Sequence, residues 1–174
     1  LSYESINNEI NKLDDDIEAI LFIHWGQEHV GLPPYHCLEI AKKLLDIEKV
    51  KLIVGTHPHR IQGFVAKNGK RAYLSTGNFY FSNFYIIPPT LIHYPKENEK
   101  CQWETYRYCK VGALTYKKWK KKNRTSILVS LDTESGNVDH IFVAQNKEGS
   151  IIKKLNPVES FYQNLCLNTL NLFY

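Results

Sequence analysis

Polar and apolar positions alternate with two distinct periods along the first half of the chain. Residues 4–16 carry Ile6, Ile10 and Leu13 at helical spacing among polar neighbours, which predicts an amphipathic helix. "AILFIHWG" (19–26) is a continuous apolar run that ends in His24-Trp25-Gly26, the pattern of a buried strand running into a loop. Pro33 and Pro34 precede a second helical pattern, Leu38, Ile40, Ala41, Leu44 and Leu45, at positions where proline suits a helix start. "KLIVG" (51–55) then reads as a short buried strand. Strand, helix and strand in this order predict a parallel, right-handed βαβ unit. Its strands would deliver His24 and the His57-Pro58-His59 group just past their carboxyl ends, where open α/β sheets place their sites.

Further on, two strand-like runs flank Asn68-Gly69, a strong hairpin signal. Residues 86–105, with Pro88, Pro89 and Pro95, read as irregular. "TSILVSLD" and "VDHIFVAQ" flank "TESGN" as a second hairpin, and the tail from Pro157 is helix-like. Packed helices with two β-rich regions predict an α/β sandwich. The 174 residues suffice for one domain with a sizeable core, so residues 1–174 are read as a single domain. No window approaches the length of an apolar membrane span. The chain begins at Leu1 and contains no methionine, as expected of a processed or partial chain. Its four cysteines, Cys37, Cys101, Cys109 and Cys166, form no C-x-x-C pair and predict reduced thiols. Nothing in the sequence assigns a compartment.

Three groups of residues carry candidate chemistry. Proline at 58 disfavours the helical region for His57, so the segment is expected to be extended, with His57 and His59 on one side. His24, His57 and His59 could then share a divalent metal, since imidazole suits zinc, iron and manganese. The alternative is that each hydrogen-bonds a nearby backbone carbonyl. Glu28, four residues after His24, fits an orienting group, a base or a solvated loop acid. In "STGNFYF", Gly77-Asn78 could form a tight turn that aims Asn78 at a ligand, or a plain hairpin turn. Phe79, Tyr80, Phe81, Phe84 and Tyr85 are expected to pack in the core and at sheet edges. The formal net charge is +4, yet Lys117, Lys118, Lys120, Lys121, Lys122 and Arg124 crowd into eight residues, so the rest of the chain is slightly acidic. With Trp119 among them, these cations could hold a polyanion by charge and stacking, or form a solvated loop. No nucleic-acid-binding signature accompanies them.

The blocks "HWGQE", "GTHPHRIQG" and "STGNFYF", in that order and spacing across residues 1–85, resemble the CapA-type capsule-synthesis family associated with poly-gamma-glutamate. That family is similar in fold to calcineurin-like metallophosphoesterases, a four-layer α/β/β/α sandwich with a dinuclear metal site at strand ends. The resemblance implies that His24, His57 and His59 are metal ligands, for Mn, Fe or Zn, with Glu28 and Asn78 as supporting catalytic groups. It implies phosphoesterase-like hydrolysis of a phosphorylated substrate and association with other capsule-synthesis components. The alternative is an accessory protein that guides an anionic polymer. The family's aspartate- and asparagine-bearing motifs precede its "HWG" block, and residues 1–23 contain none of them. The chain therefore resembles the C-terminal half of such a protein.

Overall fold

Ser2 opens the first element of the computed structural model: its Oγ accepts a hydrogen bond from Ser5 N and caps helix α1, Tyr3–Ile10. The structure describes residues 2–82, 84–86, 90–92, 108–110, 115–117 and 119–173. Two compact units divide the chain, one made of 1–81 and 120–174, the other of 82–119.

In the larger unit, strand β1 (Ala19–His24) leads through helix α2 (Tyr35–Leu45) to β2 (Val50–Thr56). Strands β1 and β2 pair in parallel, as the apolar pattern predicted. The hairpin β3 (Phe64–Lys67) and β4 (Lys70–Tyr73) completes a four-stranded sheet in the order β1-β2-β4-β3. Asn68 and Gly69 both adopt positive φ, 53° and 74°, as a two-residue turn matched to strand twist requires. Strands β9 (Thr125–Leu131), β10 (Val138–Gln145) and β11 (Ile152–Lys154) form an antiparallel sheet in the order β11-β10-β9, and helix α3 (Pro157–Phe173) ends the chain. In the smaller unit, β5 (Phe84–Ile86) pairs with β8 (Thr115–Lys117), and β6 (Thr90–Ile92) with β7 (Tyr108–Lys110). The protein is thus a mixed α/β structure. Most of the stretch expected to be irregular, 86–105, lies outside the described residues.

Strand periodicity sorts the larger unit's apolar residues into two cores. On one face of the first sheet, Ile23, Ile53 and Ala72 pack with Leu38, Ala41, Leu44 and Leu45 of α2 and Ile10 of α1. On the other face, Leu52, Val54, Phe64 and Tyr73 share a cluster with Ile127 and Phe142 of the second sheet and Leu167 of α3. Helix α3 therefore contributes to the core between the sheets. It leaves the paired outward residues Leu128 and Ile141 about 40% exposed. A polar link crosses the same core: His140 Nδ1 lies 3.1 Å from the Tyr73 hydroxyl and its Nε2 3.0 Å from Asn164 Oδ1 on α3.

Several expectations need correction. The first helix stops at Ile10, with Asn11 as its C-cap, so Leu13 is not helical and is exposed. Phe79, Tyr80 and Phe81 are not core residues; they are 37–57% exposed. The side chains of Phe84 and Tyr85 lie outside the described residues.

Candidate functional site

The β1-α2-β2 unit puts His24 and Thr56 opposite one another at the ends of their strands. Thr56 Oγ1 donates to Ile23 O, so His24 Nδ1, 3.3 Å from the same Oγ1, is the donor of that contact. This tautomer leaves a lone pair on His24 Nε2. The ring centroids of His24 and His57 are 4.4 Å apart.

His57 and His59 do not stand together on one extended face. β2 ends at Thr56, and both histidines turn into positive φ, 97° and 54°. Their ring centroids are 6.5 Å apart, at 52°. The residue between them explains the divergence: Pro58 is fully buried, and its carbonyl accepts a 2.8 Å hydrogen bond from His29 N. With the proline plugged inward, the flanking imidazoles splay, His57 toward His24 and His59 toward a second set of partners.

That second set is a closed ring of hydrogen bonds. His59 Nδ1 lies 2.8 Å from Asn78 Oδ1, Asn78 Nδ2 donates to Asn123 O at 3.1 Å, and Asn123 Nδ2 donates to His59 O at 3.0 Å. Because the Asn78 amide nitrogen is committed to Asn123, its oxygen accepts, and His59 Nδ1 carries the proton. His59 Nε2 then faces Glu28 Oε1 at 3.7 Å, a pair that is ionic when the ring is protonated. Asn78 is 7% and Asn123 6% exposed, so each amide is worth more than a surface contact. Gly77, at φ 77°, bridges to Ser126 rather than turning a hairpin, and this carries Asn78 to the ring.

Of the predicted site residues, His24 pairs with His57, while His59, Glu28 and Asn78 form a separate group. His29, His36 and Asn123 were missed. His29, at φ 63°, has its ring 5.7 Å from that of His59 and its Nδ1 3.4 Å from Asn123 Nδ2. His36 and Cys37 join His24 and Trp25 around a cavity of about 180 Å³. Burial pushes the Cys37 thiol above its ordinary pKa. Asn123 is embedded in "KKKNR", whose charge masked its amide. The cluster's Trp119 is buried and donates from Nε1 to Ser82 O, so it offers no stacking face. Lys118 and the Lys117 side chain lie outside the described residues.

Two neighbouring imidazoles fall short of the three protein ligands of a catalytic zinc site. Among the described residues, no group of three or more His, Cys, Asp or Glu is arranged to hold a metal ion. These residues alone do not fit a metal centre.

A parallel βαβ unit with polar side chains gathered past its strand ends has the arrangement in which open α/β sheets place their sites. Residues 1–83 match the family model described as bacterial capsule synthesis protein PGA_cap. The match supports a role in capsule synthesis. No curated protein matches the chain.

Proposed function

We propose that this chain binds and positions an anionic intermediate or polymer, of poly-gamma-glutamate type, during capsule synthesis, and that the strand-end histidines contact its charged group. The observation that carries this reading is the gathering of His24, His29, His57 and His59 at one edge, three of them at positive φ. Imidazole N–H groups donate hydrogen bonds to carboxylate and phosphate oxygens, which suits this edge to such a ligand. Other capsule-synthesis components would deliver or receive the ligand.

A second reading, metal-dependent phosphoesterase-like hydrolysis on an α/β/β/α sandwich, draws support from the lone pair on His24 Nε2 beside the His57 ring. It needs carboxylate ligands beyond the described set, and no hydrolytic step is assigned to these residues. Elemental analysis of the chain and of the His57→Ala/His59→Ala double variant separates the two. The binding reading expects no stoichiometric metal in either protein and polymer binding that survives a chelator. Metal near one equivalent in the parent, lost in the double variant, would overturn it in favour of the hydrolase.

A further inference from the structure

Two residues of the basic cluster recognised in the sequence, Lys121 and Arg124, belong to a larger feature. A groove of about 520 Å³ lies between the 3-10 turn at Lys121–Asn123 and the β10–β11 hairpin. Lys121, Arg124, Lys147, Lys153 and Lys154 line it, together with Glu159 at the start of α3. Five cations against one carboxylate leave a surplus of four, equal to the formal net charge of the entire chain. Outside this groove the protein is neutral in sum. Lys121 is paired with Glu159 at 2.7 Å. Lys153 and Lys154, on the exposed edge strand β11, make no ion pair among the described residues.

We propose that this groove is the binding track for an extended polycarboxylate chain, and the proposal rests on the capsule-polymer reading above for the identity of that polymer. The lining decides between acidic partners. Single-stranded nucleic acids are held by charge together with aromatic faces on which bases stack. The apolar part of this groove is Ala144, Ile151 and Leu155, with no aromatic ring. The groove therefore offers ammonium and guanidinium donors and short aliphatic contacts, which match a flexible chain of carboxylates spaced by backbone methylenes, as in a gamma-linked glutamate polymer. Its walls come from segments far apart in sequence, so only the folded chain presents it.

The test uses the full chain with a fluorescently labelled poly-glutamate, read by anisotropy. An oligothymidylate of equal charge and an uncharged dextran serve as comparison probes. If four net charges engage, affinity falls about fiftyfold between about 50 and 200 mM salt, by analogy with single-strand binding. In Lys147→Gln/Lys153→Gln/Lys154→Gln the fall shrinks to about threefold and low-salt binding weakens at least tenfold. Lys12→Gln/Lys67→Gln, on another part of the surface, leaves both unchanged. Circular dichroism confirms that these exposed substitutions fold. Unchanged poly-glutamate affinity in the triple variant, tighter binding of oligothymidylate, or no binding of poly-glutamate by the parent each overturns the groove. Poly-glutamate binding lost in the triple variant, in cells whose capsule is nonetheless normal, would uphold the groove and overturn the capsule role instead.

Discussion

Replacing Gly55 with alanine should destabilise the protein, although alanine is ordinarily the better strand residue. Gly55 lies in β2 two residues before His57, with no positive φ to excuse it. Propensity alone predicts a gain of about 0.5–1 kcal/mol. Space reverses the sign. A Cβ at this position would fall 2.1 Å from Leu74 O and 2.5 Å from Trp25 Nε1. Those two atoms are partners in a buried 2.8 Å hydrogen bond. Neither can swing away, since one is backbone and the other belongs to an indole only 7% exposed. Overpacking costs about 1–3 kcal/mol, and a buried carbonyl stripped of its donor costs about 1–3 kcal/mol more. The net expectation is a loss of about 2–4 kcal/mol, read by urea unfolding with far-ultraviolet circular dichroism. Gly69→Ala is the control: its φ is 74° and nothing lies within 4 Å of the new Cβ, so only backbone strain of about 1 kcal/mol is expected. Alanine at 55 tolerated better than alanine at 69 would refute the reasoning. Because β2 must shift to admit the methyl, the 4.4 Å approach of His57 to His24 should also be lost.

At position 57, where φ is 97°, glycine should be more stable than alanine by about 1 kcal/mol in paired denaturation curves; equal stability would mean that the backbone there is not strained. Asn123→Ala breaks the ring that holds His59 and strands buried partners, for an expected loss of about 1–3 kcal/mol, whereas Lys122→Ala next to it should fall within about 0.5 kcal/mol of the parent. Burial raises the Tyr73 phenol above its ordinary value of 10.0. The folded state thus holds that proton more tightly than the unfolded chain, so the contribution is full below about pH 10 and is lost as pH rises through the raised value. Tyr73→Phe should flatten the alkaline fall in Tm, and an unchanged profile would show that another group sets it. Thiol labelling followed by peptide mapping should find Cys166 modified quickly and Cys37 only as the protein opens, because Cys37 is 2% exposed and its thiol is held neutral.

What the sequence disclosed were the features with a local cause. The β1-α2-β2 unit, the Asn68-Gly69 hairpin, the 125–145 hairpin and the final helix all rest on periodicity or turn chemistry that neighbouring residues decide. His24, Glu28, His57, His59 and Asn78 were legible as residues of the site, while its geometry was not. Nothing in "HPH" states that Pro58 will be buried, and its burial is what separates the two imidazoles. Asn123 could not be found because its role depends on a bridge from Gly77 to Ser126, a contact between residues 49 apart in the chain. The groove was half visible: Lys121 and Arg124 advertise themselves, while Lys147, Lys153 and Lys154 join them only when β11 folds back along β10. Exposure of Phe79, Tyr80 and Phe81 ran against their composition, since apolar character predicts burial only where a partner surface arrives to cover it.

The strain at the strand ends argues for what this site is built to do. Three histidines in the left-handed region cost about 1–3 kcal/mol each, a large share of a stability of about 5–15 kcal/mol for a domain. Glycine would relieve that strain at all three positions, and the chain does not use it. The strain persists because the surroundings over-determine the loop: Pro58 is plugged into the interior, His29 N is tied to Pro58 O, and the His59-Asn78-Asn123 ring closes over the turn. Each brace acts on the backbone or on Nδ1, which in His24 and His59 is held as the donor nitrogen. A loop braced in this way holds its imidazoles in set directions before any ligand arrives. Such preorganisation lowers the entropy lost on binding, which accounts for keeping strained histidines where unstrained glycines would fold more easily.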